Sequence, residues 1–184
     1  MVGHANGEQG AEGRTRTLSL KAAAQRARVW SAVTVFARLA LAAGFLSAVA
    51  DRFGLWGPPG TGSVGWGDFA TYTAYAHSLS PYIPDGLQGA TAWAATIAES
   101  TIGLALLAGV LVRWSALAAT GLLLGFAMSM GLFLGWTAPF SYSVFAAAAA
   151  SLLVAIAPVN TFALSVDQIF SRNVHGHRDG QTTQ

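Results

Sequence analysis

The chain has 184 residues, 53% hydrophobic and 10% charged, with a formal net charge of +2 and a mean hydropathy of +0.48. Soluble domains carry about 25% charged residues, so the composition excludes an ordinary soluble domain and points to a single membrane domain. The small net charge, gathered at the N-terminus, excludes nucleic acid as a partner, and the absence of cysteine excludes disulfides, thiolate metal sites, iron–sulfur clusters and thiol redox chemistry by this chain.

Residues 1–28 form a polar, basic leader, expected to be cytoplasmic and disordered over about 1–16. The apolar run that follows is longer than the h-region of a signal sequence, so it reads as a membrane helix rather than a cleaved signal. A bilayer core needs roughly 20 apolar residues per helix, and four runs qualify: about 29–50, 89–112, 115–134 and 140–157. Only Arg113 and Trp114 separate the second from the third, which predicts a tight antiparallel pair. "GWTAP" separates the third from the fourth.

Arg14, Arg16, Lys21, Arg26, Arg28, Arg113, Arg172 and Arg178 fall on one side of these spans, against Arg52 alone on the other. Cytoplasmic loops hold the excess of Lys and Arg, so both termini are expected in the cytoplasm of a multi-pass protein of the cell membrane. In the first loop, "WGDFATYTAYAHSL" repeats Trp66, Phe69, Tyr72 and Tyr75 every third residue. This predicts a helix with an aromatic face, suited to the extracytoplasmic interface. Residues 159–184 are expected to hold a cytoplasmic amphipathic helix, with Phe162, Val166, Ile169 and Phe170 on one face, followed by a disordered tail. The expected fold is all-α: a four-helix transmembrane bundle over 29–158 with an extracytoplasmic interfacial helix in the first loop.

Two charges lie within the apolar runs. Arg38 is about ten residues into the first span, roughly 14 Å deep, and Glu99 about 13 residues from the same side, roughly 20 Å deep. A lone charge at the bilayer centre costs about 3 kcal/mol or more, so mutual neutralisation predicts an Arg38–Glu99 ion pair. Small residues flank both charges: Ala42 on the first helix, Ala95 and Gly103 on the second. They predict close helix packing, with Gly121 and Gly125 of the third span as a further packed wall. Such a pair either fixes helix register or serves a site that binds a polar head group or relays a proton.

The far end of the first helix, "VADRFGLWGPPG", carries Asp51, Arg52 and Trp56. One reading is anchoring at the membrane rim; the other is an outer pocket shared by Asp51, Arg52, Trp56, Tyr72, Tyr75 and His77. Haem is not expected, because no span contains a histidine. "HGH" in the tail offers too few ligands for a closed metal site.

"ARLALAAGFLSAVADRFG", together with Glu99, Gly103, Leu106, Leu107, Gly109 and Arg113 in the second span and "FSYSVF" before the fourth, resembles the DoxX/DoxD-type integral membrane proteins. Arg52 stands where that family has a lysine, and an arginine does not readily release its proton. The resemblance implies an integral membrane subunit of a quinone-linked redox system. Such a subunit anchors redox partner subunits among membrane lipid and helps shape a quinone site without covalent cofactors of its own. The rival readings are a small-solute permease or channel using the same charged pair, and a structural assembly factor with no activity of its own.

Overall fold

A computed structural model describes residues 5–62 and 64–158, with Phe162 and Ser165. Helix α1 spans Ala5–Arg52, α2 Phe69–Ser78, α3 Gln88–Ala108, α4 Val112–Phe133, α5 Thr137–Ser141 and α6 Val144–Ile156; a 3-10 turn at Asp85–Leu87 leads into α3. No strand occurs among the described residues. Three segments are long and apolar enough to cross a membrane, Leu18–Arg52, Asp85–Ala108 and Val112–Phe133, and Val144–Ile156 is a shorter apolar helix. Their outward faces stay apolar: Phe36, Ile97, Leu104, Leu132 and Leu153 are all exposed. A face of this kind suits lipid and is unfavourable in water, so the helices mark a membrane protein.

Local chemistry moves three of the expected boundaries. Helix α3 stops at Ala108 rather than near residue 112, because Gly109 takes a left-handed cap conformation with φ 71° and donates to Ala105 O. Glycine does this without steric cost. The α3–α4 connection is therefore 109–111, and Arg113 and Trp114 lie inside the first turn of α4. The fourth apolar run is not one helix: Ser143 adopts φ 54° between α5 and α6. That leaves α6 about 20 Å long at 1.5 Å per residue. The leader is helical from Ala5, continuous with the first span, where disorder was expected. The amphipathic helix and tail expected over 159–184 lie outside the described residues, apart from Phe162 and Ser165, which are buried.

The helices associate chiefly as two pairs, α1 with α3 and α4 with α6. In the second pair Thr120 Oγ1 and Ser151 Oγ are 2.8 Å apart, and Arg113 Nε donates to Ala155 O near the end of α6. A cation there meets the negative end of the helix dipole. One apolar cluster joins the pairs near the α3–α4 turn, including Leu41, Phe45, Leu106, Val112, Ala119 and Val154. Helix α2 packs on α3 at the opposite end, with the Phe69 and Trp93 rings 4.5 Å apart and Phe53 stacked on Phe69 at 5.9 Å.

Candidate functional site: a buried ion pair at the head of an apolar cavity

The carboxylate of Glu99 pairs with Arg52, not with Arg38. Arg52 Nη2 donates to both Glu99 oxygens at 2.6 Å, and Nη1 donates to Thr96 Oγ1 at 2.8 Å. Arg52 is 2% and Glu99 3% exposed. Arg38 is buried elsewhere, at the α3–α4 turn, where a Cβ added to Gly109 would stand 2.7 Å from its Nη1. Gly109 lies roughly 15 Å beyond Glu99 along α3 at 1.5 Å per residue. The expected Arg38–Glu99 pair is therefore corrected. Depths reckoned from the ends of the apolar runs assume that both helices begin at one level, and α1 is shifted along its axis relative to α3. Arg52, at the last residue of α1, reaches the middle of α3, while Arg38 reaches only its C-terminal end.

The local sequence explains how Arg52 is held. As the last residue of α1 it sits where a helix dipole favours a cation. Glu99 and Thr96 are one turn apart on the buried face of α3, so a single guanidinium spans both. Above it, the ring centroid of Tyr72 is 3.7 Å from the guanidinium carbon, and that of Trp66 is 5.4 Å away. This is cation–π contact range. The Trp66 ring meets Tyr72 edge-on at 5.2 Å. Asp51, the neighbour of Arg52, fixes the loop that delivers Trp66: its Oδ2 accepts from the backbone N–H groups of Gly65 at 3.0 Å and Trp66 at 2.8 Å. Gly67 then takes φ 75°, and a Cβ there would collide with the backbone of Pro58 and Pro59. At that position a side chain would be both strained and blocked.

Below this head lies a cavity of about 1300 Å³, walled by α1, α2, α3, α4 and α6. Arg52, Glu99, Trp66, Tyr72 and Tyr75 line its polar end; Ile102, Leu122 and Phe126 are among its apolar walls. Along α1 it runs from Phe36, which is 75% exposed, to Arg52, roughly 24 Å of helix. Burial pushes the Tyr72 hydroxyl up to about 12 and also raises that of Tyr75, so both remain phenols and hydrogen-bond donors at neutral pH.

Of the six residues expected in an outer pocket, Arg52, Tyr72 and Tyr75 come together in this cavity. Asp51 and Trp56 line a smaller adjoining depression with Gly44, Ser47, Ala48 and Gly65. Trp56 Nε1 donates to Ser47 O at 3.1 Å, tying the loop to α1. His77 does not join them: its Nε2 faces Asp85 Oδ1 at 3.8 Å, outside the cavity wall. Among the expected packing residues, Ala42 is fully buried and Gly103 lies against Leu46 and Phe45, as close helix contact requires. Ala95, Gly121 and Gly125 instead line the cavity, and a Cβ on either glycine would meet no atom within 4 Å. The third-span stripe is thus a source of space, not of contact. Thr96 and Trp66 were missed as site residues. Thr96 was legible one turn before Glu99 on the same face, whereas the position of Trp66 depends on the loop capped by Asp51.

Among the described residues no cluster of three or more His, Asp or Glu side chains offers a metal site. Comparison with protein-family models, with curated proteins and with solved structures finds no match for this chain.

Proposed function

We propose that the chain is an integral subunit of a quinone-linked membrane redox system, of the DoxX/DoxD kind, that binds a quinone head at the Arg52–Glu99 centre. The observation that carries this reading is a large apolar cavity in which Arg52 and Glu99, the charged residue types among its described lining residues, sit together under aromatic rings at one end. Ligand sites are mainly apolar with a few convergent polar groups, and a quinone is an apolar body bearing carbonyl acceptors. The guanidinium of Arg52 and the hydroxyls of Tyr72 and Tyr75 are donors suited to those carbonyls. No thiol or bound metal is needed for this role, since the electrons would come from a partner subunit. In this arrangement the four apolar runs cross the cell membrane with both termini in the cytoplasm, the fourth as α5 and α6 together, and α2 lies at the extracytoplasmic interface above the site.

The apolar cluster that joins the helix pairs at the α3–α4 turn speaks against the permease reading, because a polar solute would have to cross it. A quinone titration tests the proposal. A short-tailed quinone analogue should quench tryptophan fluorescence of the purified protein saturably. Trp66→Phe should remove much of the quench, and Tyr72→Leu should weaken binding by about tenfold through loss of the ring and hydroxyl. A linear, unsaturable quench in the wild-type protein would sink the reading. Cross-linking in native membranes should then capture an electron-donating partner.

A further inference from the structure

Helix α1 is longer than a membrane requires. Its apolar segment Leu18–Arg52 has 35 residues, against the roughly 20 that cross a bilayer core, and the helix itself begins at Ala5. Its far end is held by Arg52 under Tyr72, so the surplus lies at the N-terminal end, before the apolar run that starts at Val29. There every side chain from Leu18 to Trp30 is exposed, with Leu18 at 64%. Helices in proteins draw most of their stability from packing one face, and this stretch leaves its faces bare.

One of those faces is patterned. Arg14, Lys21 and Arg28 recur every seven residues, which keeps a row on one side of a helix with a drift of about 20° per repeat. Beside the row, Leu18, Ala22, Gln25 and Val29 are spaced by four, three and four residues, the step of a heptad seam. Leu18 and Gln25 then stand at d, Ala22 and Val29 at a, Lys21 and Arg28 at g, and Arg26 at e. Residues 13–28 hold five basic residues and no acidic one, so the stretch has no carboxylate of its own to offset the row by i,i+4 pairing.

Charge decides what covers this face. A second copy inserts in the same orientation, so its α1 would pair in parallel and set Lys21 of one copy against Arg26 of the other. Those are the g and e positions that select partners, and like charges there repel. Anionic headgroups reach Arg26 and Arg28, which lie within a turn of Val29. Lys21 and Arg16 stand roughly 12 and 20 Å farther out along the helix, past a headgroup layer of about 6 Å on each side. A helix with acidic flanks, lying along α1, meets the whole row.

We infer that residues 14–29 of α1 are a docking seam for a helix of a partner protein, one carrying apolar residues at a and d and Asp or Glu at e and g. The seam is separate from the quinone site and, in the proposed orientation, holds that partner on the cytoplasmic side.

The test places the whole chain in neutral phosphatidylcholine nanodiscs and titrates it with labelled synthetic helices. One has leucine at a and d and glutamate at e and g; a second has the same composition with its leucines out of heptad phase; a third has lysine in place of glutamate. The first should bind saturably, about tenfold or more tighter than the second, and the third should not bind. Lys21→Glu with Arg28→Glu should reverse the preference between glutamate and lysine helices, an exchange that a misfolded chain does not give. Leu18→Gln should weaken binding without changing that preference. Equal binding of the in-phase and out-of-phase helices means charge attraction alone and overturns the seam, as does a preference that survives charge reversal. The chain has no cysteine, so Leu18→Cys reports on this face cleanly, and the glutamate helix should protect its thiol from alkylation. Rapid disulfide linking of two copies under mild oxidant, or equal protection by phosphatidylglycerol nanodiscs without the helix, overturns the proposal in favour of a second copy or of lipid. Quinone quenching should be unchanged in the charge-reversed variant, so failure of the seam and failure of the quinone site are read separately.

Discussion

At the scale of the residue, Arg52 decides the character of the site. It holds Glu99 and Thr96 with separate nitrogens and lies under the Tyr72 ring, so removing it leaves a carboxylate buried without a counter-charge. Breaking a buried pair from one side costs about 3–5 kcal/mol, whereas replacing both members by apolar residues is often close to neutral. Arg52→Met alone and Glu99→Leu alone should each lower the thermal midpoint in detergent sharply, and the double variant should regain most of the loss. A double variant less stable than either single one would mean that the pair acts through other partners. Tyr72 adds a pH signature. Burial, the largest cause, raises its hydroxyl from 10.0 to about 12, so folding favours the neutral phenol. The resulting stability is complete below pH 10 and is lost as the pH rises through 12. Tyr72→Phe should flatten that alkaline decline in a series of melts between pH 9 and 12.

At the scale of the element, two caps hold the site in place. Asp68 is the N-cap of α2: its Oδ1 accepts from Thr71 N at 2.7 Å, and that bond lowers its pKa below 3.8. A depressed carboxylate pKa stabilises above the unfolded value and loses the benefit as the pH falls through the folded one. Asp68→Ala should therefore fray the first turn of α2 at neutral pH, seen as faster amide exchange at Thr71, with the difference from wild type shrinking in acid. At the other end, Gly109→Ala asks an alanine to adopt φ 71° and places its Cβ against Arg38 Nη1 and Ser165 at 2.7–2.8 Å. A non-glycine residue held in that conformation costs about 1–3 kcal/mol. The variant should lower the melting midpoint more than Gly89→Ala on the same chain, where a Cβ meets open space. These elements also show how far sequence reading reached. The helices of the long apolar runs were legible because hydropathy is a local property, and so was a helix carrying Phe69, Tyr72 and Tyr75, although Trp66, expected on the same face, lies in the loop before its Asp68 cap. The break at Ser143 and the turn at 109–111 were not, because a backbone dihedral inside an apolar run leaves hydropathy unchanged.

At the scale of the whole molecule, the two helix pairs meet through an apolar cluster at one end and part around a cavity along much of their length. Helix α2 closes over the polar head of that cavity and contributes Tyr72 and Tyr75 to it. An intact head therefore needs α2 docked as well as α1 and α3 correctly offset. Trp93→Ala, which removes the 4.5 Å contact of α3 with Phe69, should loosen α2 and weaken the proposed quinone binding while sparing the pairing of α4 with α6. Fluorescence titration alongside hydrogen exchange on α4 and α6 would separate these effects. A variant that loses protection uniformly would show instead that the pairs unfold together.

The sequence by itself determined the helical class, the affinity for lipid, and the need of a deep carboxylate at Glu99 for a cationic partner, because composition, periodicity and the cost of a lone charge in lipid all act along one chain. Tertiary structure alone decided that the partner is Arg52 rather than Arg38, and that the glycines of α4 face open space rather than a neighbouring helix. Both depend on the axial offset and separation of helices, which many packed side chains, the Gly109 turn and the capped loop set together, and to which a pattern read along one strand of sequence is blind.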